Sequence, residues 1–256
     1  MSLDRLIQKP ADRKPVITIC GDAGLGKTSL AASFPKPIFI RAEDGVQAIS
    51  SADRPDCMPV ITKVEQLWEQ LTALIKEDHE YQTLVVDSVT ALERLFAAHI
   101  VATDDNNPKS INQACGGYGN GLKAVAELHC KLRNYCGHLN TRKNMSIVFI
   151  AHAETETLDL PDAEPYNRYS MRLNKQSIPV YLDDSDLVGY IKLESFVKKE
   201  TKKAVSTGAR VLVAHAEASS VAKNRYGIEK EITFKKGENP LSKFLNQPQH
   251  NTTEGK

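Results

Sequence analysis

Eight consecutive residues, Gly21-Asp22-Ala23-Gly24-Leu25-Gly26-Lys27-Thr28, set three glycines, a lysine and a hydroxyl at the spacing G-x-x-x-x-G-K-[ST]. Glycines let the backbone curl so that several N–H groups point inward, which is how a peptide loop cradles phosphate oxygens. Lys27 adds a mobile cation for the outer phosphates, the Thr28 hydroxyl can ligate magnesium, and Ser29 continues the binding segment into the next element. Two carboxylates extend this chemistry. Thr83-Leu84-Val85-Val86-Asp87-Ser88 ends an apolar run on Asp87, placed to hold the metal's coordination shell. Ile38-Phe39-Ile40-Arg41-Ala42-Glu43-Asp44 puts Glu43 just past another apolar run, where it can align water against a terminal phosphate. These residues together could bind a nucleoside triphosphate and hydrolyse it. The base is expected to be adenine, because Asn174-Lys175-Gln176-Ser177 and Thr62-Lys63-Val64-Glu65 both lack the Asp of the guanine-reading pattern Asn/Thr-Lys-x-Asp. ATP and Mg2+ are therefore the expected cofactors.

Such residues need strands that end beside one another. Four nearly continuous apolar runs, residues 16–20, 38–40, 83–86 and 147–151, read as parallel strands covered on both faces. Residues 29–34 read as the helix that follows the phosphate loop. Residues 64–75, 89–101 and 122–135 carry apolar positions at helical spacing, with Val64, Leu67, Trp68, Leu71, Leu74 and Ile75 as the clearest stripe. Strand and helix alternate, so the fold class is α/β, with a mostly parallel central sheet flanked by helices. Residues 187–197 and 209–214 read as strands added toward the C-terminus, joined by a polar link at 198–207.

With 256 residues, 41% of them hydrophobic and 25% charged, the chain has the composition of a globular protein with one sizeable core. The expected division is an N-terminal segment at 1–14, one ATPase domain at 15–246 and a disordered tail at 247–256, with no internal repeat. No apolar run approaches the roughly 20 residues that span a bilayer, and Met1-Ser2-Leu3-Asp4-Arg5 lacks a signal-peptide profile, so a cytoplasmic protein without a membrane partner is expected. Five irregularly spaced cysteines read as reduced thiols. His129, Cys130, Cys136 and His138 match no zinc spacing and read as residues on helix faces. The net charge of +1 conceals an asymmetry: residues 165–236 hold fourteen Lys and Arg against eight Asp and Glu, which would favour a polyanion there.

Two stretches resist the alternation. Residues 103–120 are rich in Asp, Asn and Gly and run into Gly116-Gly117-Tyr118-Gly119-Asn120-Gly121; residues 154–177 are polar and broken by Pro161 and Pro165. Both read as long loops, and long loops in a compact domain are usually functional. The second interleaves Tyr166, Arg168, Tyr169, Arg172 and Lys175, and the first offers Lys109 and Tyr118. Aromatics for stacking and cations for phosphates suit single-stranded DNA.

The residue after Asp87 is Ser88, whereas many ATPases of the AAA+ type place a catalytic Glu there. The phosphate loop, the Glu after Phe39-Ile40-Arg41-Ala42 and the Val85-Val86-Asp87-Ser88-Val89 strand occur in the order that resembles the RecA family. The resemblance covers residues 15–235 and includes Val221-Ala222-Lys223-Asn224-Arg225, which looks like the segment bearing cations that RecA-like proteins insert into a neighbour's nucleotide site. The Ile150-Ala151-His152 strand end and the short N-terminus look most like compact phage-encoded RecA-like ATPases of single-strand annealing and recombination.

The resemblance implies a RecA-like P-loop fold, Glu43 as catalytic base, Lys27, Thr28 and Asp87 as nucleotide and magnesium residues, and Lys223 and Arg225 as cations acting in trans. It puts His152 where RecA has a glutamine that senses the terminal phosphate. It implies DNA-stimulated ATP hydrolysis, single-stranded DNA as partner, self-assembly into a ring or filament, a single-strand binding protein as a further partner, and the host cytoplasm as location. The competing readings are a small-molecule or nucleotide kinase, which leaves the polar loops unexplained, and a nucleotide-switched binding protein that does not hydrolyse.

Overall fold

The computed structural model describes residue 7 and residues 13–161, 164–197, 204–215, 217 and 219–245. Its strands in chain order are β1 (Val16–Gly21), β2 (Pro37–Arg41), β3 (Asp56–Cys57), β4 (Thr83–Asp87), β5 (Ser146–Leu158), β6 (Tyr166–Met171), β7 (Leu187–Val197), β8 (Ala204–Val213), β9 (Lys223–Asn224) and β10 (Ile232–Phe234). The helices are α1 (Lys27–Ala32), α2 (Val64–Lys76), α3 (Val89–Thr103), α4 (Asn120–Arg142), α5 (Ile178–Leu182) and α6 (Ser242–Leu245). The main sheet has the order β10-β8-β7-β1-β5-β4-β2-β3. From β7 to β3 every neighbour is parallel, while β8 and β10 extend the sheet antiparallel beyond β7.

Continuous apolar runs are what a sheet covered on both faces requires, and alternate residues of each strand serve two separate cores. Val16, Ile38, Ile40, Leu84, Val86, Ile147 and Phe149 pack under α2, α3 and α4. Ile17, Ile19, Phe39, Val85, Val148 and Ile150 face the other way, against Leu30 and Ala31 of α1 and against Leu212, Phe234 and Leu241. α2 buries Val64, Leu67, Leu71 and Leu74, and its first turn is closed by Gln66, whose side-chain oxygen accepts from the Thr62 and Lys63 backbone N–H groups. Truncating a fully buried leucine such as Leu67 to alanine would cost about 2–5 kcal/mol.

Three expectations change. Residues 154–177 are not a structureless loop: β5 runs on past the sheet and pairs with β6 from Ala153↔Met171 to Leu158↔Tyr166, forming a hairpin, and α5 follows. From Thr155 to Leu158 exposed and half-covered side chains alternate, a period-two signal that the polar composition hides. α4 reaches Arg142 instead of stopping near 135, because Cys136 and Leu139 continue its buried stripe. β8 begins at Ala204, inside the expected polar link, of which residues 198–203 lie outside the described residues, as does the expected tail at 247–256. Among the described residues no helix is long and apolar enough to cross a membrane.

His129, Cys130, Cys136 and His138 are dispersed along α4. His129 is fully buried with Nδ1 2.6 Å from the Tyr181 hydroxyl, Cys136 is buried, and Cys130 is exposed. Burial pushes the Cys20 and Cys136 thiols up to about 12.

Candidate nucleotide site

The parallel strands end at one edge of the sheet, and the chemistry-bearing residues collect there. β1 delivers Gly21 and the phosphate loop beside His152 on β5, with Gly21 and His152 as register partners. Gly26 closes the loop at φ 86°, a left-handed conformation that costs glycine little, and α1 starts at the next residue. A cavity of about 380 Å³ opens there, bordered by Gly24, Lys27, Thr28, Ser29, Glu43, Gly45, Asp87 and His152.

Lys27 is buried, and its Nζ donates to the carbonyl oxygens of Gly21 and Asp22 at 2.8 Å each. An ammonium has three N–H donors, so one remains for a phosphate oxygen. Burial lowers the Lys27 pKa, and the nearby Asp87 and Glu43 carboxylates oppose that shift.

Thr28 Oγ1 donates to Asp87 Oδ2 at 2.9 Å, joining the start of α1 to the end of β4. Burial pushes the Asp87 carboxyl up to about 6 against the Thr28 bond, so this carboxylate gains from a cation beside it. Gly45 leaves room for one: a Cβ there would lie 2.9 Å from Thr28 Oγ1 and 3.2 Å from Asp87 Oδ2. A hydroxyl, a buried carboxylate and a gap that any side chain would fill fit Mg2+ with its waters. Thr28 and Asp87 would hold it, and the ion would neutralise phosphate charge when bound.

Glu43 lies past the end of β2. His152 Nε2 is 2.9 Å from Glu43 Oε1, and this bond, helped by one from Ser88, holds the Glu43 carboxyl down to about 2. Ser88 is fully buried at the start of α3, where its Oγ accepts from the Ala91 N–H. The His152 N–H donates to Thr90 Oγ1, so α3 fixes both partners of the pair. A carboxylate this acidic is a poor proton sink at neutral pH but a firm acceptor for orienting water.

The same strand continues into the hairpin. Arg172 N–H donates to the His152 carbonyl, so both arms of the hairpin start at the histidine that borders the cavity. On the hairpin, Arg168 pairs with Glu156 at 2.6 Å, and Tyr169 stacks on Tyr190 of β7 with ring centroids 4.5 Å apart. Tyr166 is half-buried, while Arg172 and Lys175 are exposed. Lys109 and Tyr118 lie on the other segment, before α4, and Tyr118 is fully exposed among glycines. The hairpin is tied sideways to residues 219–221: Tyr169 N–H donates to Ser219 O, and Val221 N–H to Tyr169 O.

That strap leads to Lys223 and Arg225, which do not join this chain's cavity. β9 pairs with the beginning of β7, at the opposite edge of the sheet from the phosphate loop. The six-residue β1 separates the two edges by roughly 20 Å. There Arg225 and Arg13 both bind Asp186 Oδ1, at 2.9 and 2.6 Å, while Asp186 Oδ2 accepts from the Val16 N–H. Lys223 Nζ donates to the carbonyls of Leu182 and Asp183.

Several residues of the site escape the motifs. Ser88, behind the cavity, had a usable signal, a hydroxyl cap on the helix after the Asp87 strand. Gly45 lies two residues past Glu43 with nothing local to mark it. Arg210 and Lys236 reach the cavity from β8 and from just beyond β10, brought by the antiparallel extension.

The AAA domain family AAA_24 matches residues 13–226, a span that contains the phosphate loop, Glu43, Asp87, His152 and the Lys223–Arg225 segment. The SPbeta prophage-derived uncharacterized protein YorG of Bacillus subtilis (strain 168) is 25% identical over 197 residues, covering 76% of this chain and 55% of that protein. The chain thus spans about half the length of that relative. A phosphate loop at the end of a central parallel strand, a magnesium-suited Thr28–Asp87 pair on the neighbouring elements and a family match over most of the sequence agree: the chain belongs to the AAA domain family AAA_24 of P-loop ATPases.

Proposed function

We propose that the chain is a RecA-like, Mg2+-dependent ATPase that acts on single-stranded DNA in phage-type recombination or annealing. The observation that carries the reading is the Glu43–His152 pair, because it joins a water-aligning carboxylate to the root of the β5–β6 hairpin. Lys27 and the loop amides hold the triphosphate, and Glu43 fixes water in line with the terminal phosphorus. Water's oxygen bonds to that phosphorus as the bond to the bridging oxygen breaks; ADP leaves with that bond's electron pair, and the water's proton passes to a phosphate oxygen, giving inorganic phosphate. A change at His152 then has a direct covalent route into the hairpin that carries Tyr166, Arg168, Tyr169 and Arg172.

The prophage origin of the YorG relative supports a phage setting, and with it the host cytoplasm. The reading includes self-assembly into a ring or filament, in which Lys223 and Arg225, about a strand length from their own cavity, would act on a neighbour's nucleotide. A single-strand binding protein is the expected additional partner.

The test is ATP hydrolysis measured with and without single-stranded DNA, followed by annealing of complementary strands. Stimulation by the DNA is expected. Phosphate transfer to a small acceptor would replace the reading with a kinase, and binding without turnover would replace it with a nucleotide switch.

A further inference from the structure

Arg210 and Lys236 form a wall of the cavity that no sequence motif supplies. Both come from the antiparallel edge of the sheet, where Arg210 on β8 is the register partner of Phe234, two residues before Lys236. Arg210 Nε donates to the Leu25 carbonyl at 2.8 Å. Gly26 lacks the Cβ that would come within 3.2 Å of that same nitrogen, so the guanidinium lies against the phosphate loop itself. Lys236 Nζ donates to the Ala48 carbonyl at 3.2 Å, on the short 3-10 turn Gly45–Ala48 that follows Glu43. One cation therefore sits on each lip of the cavity.

A guanidinium carries five N–H donors, and Leu25 uses one of Arg210's. Among the described residues no acceptor meets its terminal nitrogens, and neither cation has a carboxylate within ion-pair distance. Two cations that form no ion pair among the described residues, on opposite lips of one cavity, are suited to a polyanion lying between them.

We propose that Arg210 and Lys236 bind the polyphosphate of a nucleoside triphosphate within their own chain, clasping the phosphate loop to the 45–48 turn. This rests on the nucleotide reading of the cavity, and it separates two jobs for cations: Arg210 and Lys236 hold the nucleotide in cis, whereas hydrolysis waits for a neighbour.

The test is titration of a fluorescent ATP analogue with Mg2+ into the wild-type chain, Arg210→Ala, Lys236→Ala, the double variant and Arg210→Lys. Expected is a weakening of roughly tenfold to a hundredfold for Arg210→Ala, less for the exposed Lys236→Ala, with nucleotide-free melting unchanged. Arg210→Lys keeps the charge and should recover much of the affinity; a loss equal to that of Arg210→Ala would reduce Arg210 to a prop for Leu25 and overturn the proposal. Adding excess Lys27→Ala chain, which retains Arg210, should not rescue the Arg210→Ala chain, and rescue would overturn the assignment in cis. No binding by the wild-type chain defeats the nucleotide reading itself, whereas wild-type binding with the double variant within twofold defeats this proposal alone.

Discussion

Strand β5 passes through two regions that handle polar groups in opposite ways. Up to Ala151 it is buried in the sheet, and at His152 it enters a pocket whose polar side chains are already held, Thr28 by Asp87, Glu43 by His152 and Lys27 by the carbonyls of its own loop. Beyond Ala153 it becomes one arm of a hairpin whose cations are paired within the hairpin, as Arg168 is with Glu156, or point to solvent, as Arg172 does. The pocket is organised before anything binds, so its chemistry can be specific. The hairpin presents generic stacking and charge, so on the proposed reading its selectivity would come from the shape and charge of what lies on it.

Perturbing the two regions separately should sharpen that contrast. The largest effect is expected in the pocket. Lys27→Ala removes the buried cation, and ATP affinity should fall by about a hundredfold or more while the single-stranded DNA affinity proposed for the hairpin, measured without nucleotide, stays at the wild-type value; equal losses in both assays would erase the distinction. Gly45→Val fills the gap beside Thr28 and Asp87, so the Mg2+ concentration needed for half-maximal turnover should rise roughly tenfold with little change in nucleotide-free melting. On the hairpin, the Arg168→Ala and Arg172→Ala pair should weaken single-stranded DNA binding roughly tenfold at low salt and lower the salt slope by about 1 to 2, leaving ATP affinity intact.

The smallest effect concerns the joint between the regions. Glu43 is more acidic folded than unfolded, chiefly because of His152. Its contribution to stability is therefore full above the ordinary carboxyl value of 4.5 and is lost as pH falls toward about 2. His152→Ala should move the Glu43 carboxyl titration, followed by carbon NMR, up from about 2 toward 4.5. An unmoved midpoint would mean the histidine does not hold the carboxylate.

The same contrast decides what the sequence could tell. Apolar runs such as residues 16–20 and 83–86 announce central strands because burial on both faces leaves no room for polar residues, and the phosphate loop announces itself because backbone curvature demands glycine at fixed positions. Glu43 and Asp87 were legible as carboxylates at the ends of such strands. The hairpin was not: strand Glu154–Leu158 is so polar that its alternation reads as loop, and what makes it a strand is pairing with β6. Arg210 and Lys236 left no local trace, since their place depends on β8 turning back along β7 across residues with no motif of their own. Lys223 and Arg225 were marked by resemblance alone, and their ties to Asp186, Leu182 and Asp183 arise from the far edge of the sheet.

Single-turnover ATP hydrolysis by Glu43→Gln, run beside equilibrium binding of ATP, bears most directly on the water-aligning carboxylate. The neutral amide keeps the size of the side chain, so ATP binding should survive while the hydrolysis rate falls about 10²- to 10⁴-fold. Hydrolysis at the wild-type rate in a chain that still binds ATP would contradict the assignment of Glu43 and return the reaction to some other group in the cavity.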